Sequence, residues 1–353
     1  MRVLIPAGRF FLDDKNANPF IRCLYEGLRR CHFDVVCDVG EFWNHGEDYD
    51  LIFFQWPEVV FENEEIDNVK LENQVRRLKA KGCKMMITCH NLHPHNNNPE
   101  ADKTYGILYA AADSIHHMGE YSYRLLKDIY PQSRHFIAPH PIFYDILATG
   151  LKQEDCRRQL GLPLRKKIIL AFGVFRNEEE KQVFFSLRNR FSPHEVALVA
   201  PRLDHGYGLY HGWRLHLSLR NLYKRVKMRL RQIYCYRKVV DEEDIPAYFI
   251  AADIILIQRL EILNSGNVPL AFSAGKVVVG PDKGNVGVLL KETGNPCFDT
   301  ANPADFFDKC EEALRLAQNQ EAGRRNYDYA CRNMLPDKVV NTIAEEMNFL
   351  LSS

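Results

Sequence analysis

Short apolar runs alternate with amphipathic helical stretches along most of the chain. In the N-terminal part the runs are Val3 to Pro6, Phe33 to Cys37, Leu51 to Phe54, Lys84 to Thr88, Ser114 to Met118 and His135 to Ala138. Such alternation predicts βαβ units and a parallel sheet. The first helix is well marked: Asn18 as N-cap, Pro19 in the first turn, Ile21, Leu24, Tyr25 and Leu28 on one face, and Arg29 and Arg30 at the end. After Ala138-Pro139-His140-Pro141 a second series begins, with strands expected at Lys167 to Phe172, Glu195 to Ala200, Ala252 to Ile257 and Lys276 to Val279. The last stretch, Pro336 to Leu351, places Val339, Ile343, Met347 and Leu350 on one helical side. The pattern therefore predicts an α/β protein of two Rossmann-like domains with parallel sheets. The expected domains are 1–145 and 152–335, with the helix of 336–353 packing back onto the first. No internal repeat or low-complexity tract interrupts this.

Composition narrows the class. A chain of 353 residues, 46% hydrophobic and 26% charged, can bury the cores of two domains. Lys and Arg together number 46, as do Asp and Glu, so the whole chain has no electrostatic bias toward nucleic acid. Ten cysteines are scattered with neither CxxC nor metal-ligand spacing, which reads as reduced thiols in a cytoplasmic protein. The N-terminus enters a strand directly and no apolar run is long enough to cross a bilayer, so neither secretion nor a spanning anchor is expected.

Five constellations carry candidate chemistry. Phe172-Gly173-Val174-Phe175-Arg176 and then Lys181 follow the first strand of the second domain. Ligands of open α/β sheets bind at such carboxyl ends, where a glycine permits close approach and Arg and Lys neutralise a diphosphate. An exposed Arg-Lys pair balanced by Glu178, Glu179 and Glu180 is the plainer alternative. Asn264-Ser265-Gly266-Asn267 presents backbone N–H groups at a helix start, suited to a phosphate or sugar oxygen, although Ser265 could equally be a cap. Thr88-Cys89-His90-Asn91-Leu92-His93-Pro94-His95 follows a strand. Its His-x-x-His-x-His spacing is not that of a structural zinc site, so a polar loop binding sugar hydroxyls is preferred to a metal. Gln55-Trp56-Pro57-Glu58 sets an aromatic beside a carboxylate, making Glu58 a candidate general base, unless Trp56-Pro57 only closes the strand. Finally, His205 to Val240 holds Arg214, Arg220, Lys224, Arg225, Lys227, Arg229, Arg231, Arg237 and Lys238 without one acidic residue. Apolar residues from Trp213 to Tyr234, Ile233 included, are interleaved with them. A basic amphipathic helix lying on an anionic membrane is the reading; a charged helix covering the domain is the alternative.

In order and placement these pieces resemble a glycosyltransferase of the GT-B fold, close to the retaining family 4 and its capsule and exopolysaccharide relatives. Asn18-Pro19, the Glu58 and His90 segments, Gly173 with Arg176 and Lys181, Asp244 to Asp253 and Ala271 to Val278 carry the likeness over nearly the whole chain. The resemblance implies a hexosyltransferase that uses a UDP- or GDP-sugar donor and a glycan or lipid-linked acceptor, at the inner face of a membrane, with no metal or other cofactor. It implies that Arg176 and Lys181 hold the diphosphate and His90 approaches the donor sugar. Ser265, Gly266 and Asn267 would meet the sugar or phosphates, and Val240 would lie by the base. The family carries two glutamates eight residues apart here; Glu261 lies near the first position and Leu270 near the second. That departure keeps two other readings open: a non-catalytic binding or scaffold protein of the same fold, and a nucleotide-sugar epimerase.

Overall fold

The computed structural model describes residues 1–7, 18–62, 64–94, 98–203, 222–223, 226–235 and 240–352. They form two units, Met1–Phe143 with Asn333–Ser353, and Tyr144–Arg332.

The first unit is built on β1 (Arg2–Ile5), β2 (Asp34–Cys37), β3 (Leu51–Phe54), β4 (Lys84–Thr88), β5 (Ser114–His117) and β6 (Arg134–Ile137). Their order is β2-β1-β3-β4-β5-β6 and every pairing is parallel. The four residues of β3 are all buried, as a sheet covered on both faces requires. Asn18 caps the first helix, Pro19–Arg30, its Oδ1 accepting from Phe20 N at 2.9 Å. Against that helix lies the C-terminal helix, Pro336–Ser352, whose Val339, Val340, Ile343, Met347 and Leu350 share its core. Gly27 sets the approach: a Cβ there would stand 2.8 Å from both Val340 methyls. Glu346 adds a polar tie, accepting from Ser114 Oγ at 2.9 Å and Arg134 Nε at 2.8 Å. The one-sided apolar pattern of the last helix thus finds its partner in the first unit.

The second unit contains β7 (Lys167–Leu170), β8 (Val196–Ala200), β9 (Ile233–Cys235), β10 (Ile254–Leu256), β11 (Val277–Pro281) and β12 (Cys297–Phe298). All pairings are again parallel, in the order β12-β11-β10-β7-β8-β9. From β7 the chain runs outward through β8 to β9, then starts again on the other side with β10. This is the dinucleotide-fold order, with its switch point between β7 and β10; the first unit has the related flavodoxin-like order, switching between β1 and β3.

Ile233 and Tyr234 do not belong to a basic helix; they form β9, are 3% and 6% exposed, and pair with β8. Burial beside an existing strand outweighs a helical pattern in a short basic run. Most of the 205–240 stretch, including Trp213 and Arg214, lies outside the described residues. Of the rest, Leu222, Val226 and Leu230 are large apolar side chains exposed to solvent.

At the amino ends of β7, β10 and β11 sits a charged cluster. Asp253 Oδ2 accepts from Arg157 Nη2 and from Ile168 N, both at 2.7 Å, and Lys276 Nζ donates to Ile250 O and Ala252 O at 3.0 and 2.8 Å. Burial lowers the Lys276 pKa to about 8. Nothing there faces the carboxyl ends, so the cluster belongs to the architecture. No helix among the described residues is long and apolar enough to cross a membrane, and all ten cysteines are free thiols.

Candidate functional site

In the second unit the residues after β7 and β10 converge at the switch point. Gly173 follows β7, and a Cβ on it would stand 2.7 Å from Gln258 Nε2 and 3.1 Å from Asn267 Nδ2. The glycine is therefore already required by two side-chain amides, one from the end of β10 and one from the start of helix Asn267–Ser273. Gln258 is buried and its Nε2 donates to Val174 O at 3.4 Å. Next along the loop, Arg176 N donates to Glu180 Oε2 at 2.7 Å, and Asn177 Oδ1 caps helix Glu178–Arg190. Glu180 is itself buried and receives Arg259 Nη1 at 3.0 and 3.2 Å. Partial desolvation, and then the positive charge of Arg259, hold the Arg176 pKa below the ordinary guanidinium value, with Glu180 opposing. Arg202, after β8, lies 5.3 Å over the Phe172 ring.

The balance expected between Arg176, Lys181 and the three glutamates divides differently. Lys181 Nζ is 3.1 Å from Glu178, while Glu180 turns inward to Arg259. Ser265 Oγ accepts from Asn267 N at 3.3 Å, but the N-cap position of this helix is Gly266 and no side chain among the described residues caps it. The preceding Asn264 Oδ1 accepts from Asn285 Nδ2 at 2.8 Å, tying this loop to helix Gly284–Glu292. Glu261 is mostly exposed and pairs with Lys283 at 3.2 Å. Val240 is buried at the edge of the described residues.

In the first unit, the carboxyl ends of β3 and β4 bring Gln55, Trp56 and His90 together. His90 Nε2 is 3.0 Å from Gln55 Oε1, so this nitrogen carries the proton in the bonded tautomer. The Trp56 ring stacks on the imidazole at 4.2 Å, and Phe20 meets it edge-on at 4.9 Å. Burial, then His116 and His140, hold the His90 pKa well below the usual value, so the ring is neutral. The site thus offers a neutral imidazole between aromatics, suited to a hydroxyl. Burial, and then the Glu58 carboxylate, push the Tyr105 hydroxyl pKa up. His93 instead pairs with Asp102 at 2.7 Å, and His95 is outside the described residues. No metal-ligating cluster occurs among the described residues.

Sequence reasoning missed Gln258, Arg259 and Arg202. The signal was present: each lies within two residues of the end of a predicted strand, where ligands of such sheets bind. The inward turn of Glu180 had no comparable signal, because three consecutive glutamates look alike.

No protein-family model and no curated protein matches this chain. Solved structures match it throughout. A sucrose-phosphate synthase from Thermosynechococcus elongatus is 12% identical, with a TM-score of 0.71 and 99% of each chain covered. Anabaena HepE, solved in complex with UDP-glucose, is 13% identical at a TM-score of 0.65, again over 99% of each. A glycosyltransferase from Rickettsia africae is 12% identical at 0.66, covering 99% of this chain and 98% of that one. At such identities the likeness is one of fold: two Rossmann-like α/β units with parallel sheets, the GT-B architecture.

Proposed function

We propose that this protein is a glycosyltransferase that moves a sugar from a UDP- or GDP-sugar to a glycan or lipid-linked acceptor. The observation that carries the reading is the convergence of Gly173, Arg176, Gln258 and Asn267, with Lys181 nearby, at the switch point of the second sheet. Planar and point-like cations beside fixed amide donors suit a nucleoside diphosphate. HepE, of the same fold, was solved with UDP and with UDP-glucose. Negative charge develops on the departing diphosphate, and its stabilisation by Arg176 and Lys181 would be the main contribution to rate. On this reading Ser265, Gly266 and Asn267 meet the phosphates or sugar, Glu261 approaches the ribose, and Val240 lies by the base. In the first unit, neutral His90 would bond a sugar hydroxyl and Glu58 would accept the acceptor proton. Transfer with retention is the proposed outcome, and no metal is needed for these steps.

The test is a thermal-shift screen of UDP-, GDP-, CMP- and dTDP-sugars against wild type and Arg176→Ala. A ligand that binds the folded state raises its stability by mass action. Stabilisation by one nucleotide class, lost in the variant, is expected; stabilisation by none would remove the donor reading.

A buried Leu270, where the resemblance places a ribose-binding glutamate, favours one second reading: a binding protein without turnover. Donor binding with no release of nucleoside diphosphate across an acceptor panel would decide for it. Membrane attachment is proposed through the basic 205–240 stretch outside β9, which includes the exposed Leu222, Val226 and Leu230. The protein should float with vesicles containing phosphatidylserine and not with neutral ones, and salt should release it; equal behaviour with both would end that proposal.

A further inference from the structure

We propose that Arg259 is a third cationic ligand of the donor diphosphate, presented across the switch point by the buried carboxylate of Glu180. This deepens the donor reading above and rests on it. Arg259 follows β10, on the opposite side of the switch point from the Gly173–Arg176 loop. Its side chain is 12% exposed, a burial that for a guanidinium requires a partner. Glu180 is that partner, but only Nη1 is engaged, by both carboxylate oxygens. Nε and Nη2 make no hydrogen bond among the described residues, and neither is a fully buried orphan. One edge of the fork is thus anchored and the rest is offered to solvent beside the candidate phosphate loop.

The same carboxylate accepts from Arg176 N, so Glu180 fixes the loop and Arg259 relative to each other. The two guanidiniums are close enough for Arg259 to depress the Arg176 pKa. One buried anion between two cations leaves a local positive excess that a diphosphate would neutralise and a sugar or nucleoside would not. An anchored fork also loses little side-chain freedom on binding, in contrast to an unrestrained surface arginine. Lys181 takes Glu178 one turn back, which leaves Glu180 to Arg259.

The experiment is calorimetric titration of wild type and Arg259→Lys with UDP, UMP, GDP, GMP and inorganic pyrophosphate, at one ionic strength. Lysine keeps the charge opposite Glu180 and removes the second edge of the fork. Affinity for the bound diphosphate is expected to fall about tenfold and for its monophosphate less than about twofold. Equal losses for both would make Arg259 a structural residue and overturn the inference. So would unchanged diphosphate affinity in a variant that still requires Arg176, a result that leaves the donor reading intact. Pyrophosphate binding that depends on Arg259, with no nucleotide bound, would sink the donor reading and, with it, the inference as stated. Failure of wild type to bind any of the five overturns both. Should Arg259→Lys not fold, the pair Arg259→Gln with Glu180→Gln removes both buried charges together, and the same shift in the ratio is expected.

Discussion

Arg176→Ala should lower turnover of the bound nucleotide-sugar by about 10²–10³-fold at saturating donor, the loss seen when one preorganised group is withdrawn from charge developing in a transition state. Arg176 sits in the field of Arg259, which disfavours its own charge until an anion arrives. On the proposed reading, charge developing on a departing diphosphate would meet two cations already in place. Lys181→Ala should have a smaller effect in the same direction. Its partner Glu178 is 69% exposed, so the ion pair restrains the lysine little. Release of nucleoside diphosphate, with melting temperature as a control for folding, measures both. A folded Arg176→Ala enzyme that turned over within threefold of wild type would refute the assignment.

Stability should fall steadily as the pH drops from about 6.5 toward 4. Two fully buried imidazoles in the first unit are held neutral chiefly by burial. His116 Nε2 donates to Ala138 O at 2.8 Å, and its Nδ1 lies 3.1 Å from Thr88 Oγ1. His135 Nε2 donates to Tyr130 O at 3.0 Å, which makes its Nδ1 the acceptor for His117 Nε2 at 2.9 Å; His117 Nδ1 lies 3.2 Å from Ser122 Oγ. Burial lowers the His116 pKa to about 4 and that of His117, helped by His135, to about 3. The depressed values mean that the fold holds the neutral rings. Their contribution is complete above the unfolded pKa of about 6.5 and is lost as pH falls toward the folded values, at about 2 kcal/mol per ring by pH 5. Urea melts between pH 7.5 and 5 test this against the double variant His116→Gln, His117→Gln. A shallower pH dependence in the variant is expected, whatever its absolute stability, and an unchanged slope would show that these rings do not carry the effect.

Much of the architecture was legible because parallel strands bury whole apolar runs. All six strands of the first sheet coincide with runs visible in the sequence, as do four of the second. The capped first helix and the last helix were readable from spacing alone. The strands that escaped, β9 and β12, are three and two residues long. Isolated segments that short have no periodicity of their own and become strands only when a neighbouring strand supplies their hydrogen bonds.

The candidate site divides in the same way. Gly173, Arg176, Lys181, His90 and Glu58 could be singled out because a strand end in an α/β sheet is where ligands meet backbone, and residue type indicates chemistry. Which charge faces which could not be read. Glu178, Glu179 and Glu180 are equivalent as letters, yet helix geometry turns one of them into the protein, against an arginine 79 positions away, and leaves another on the surface beside Lys181. Likewise the close approach at Gly27 became meaningful only with Val340 opposite, and that at Gly173 only with Gln258 and Asn267 above it. By itself the sequence determined where most of the strands, the first and last helices and the strand-end loops lie, since these follow from local periodicity and backbone preference. Tertiary structure alone decided which side chains are desolvated together, and desolvation sets the strength of every charge and hydrogen bond at the site.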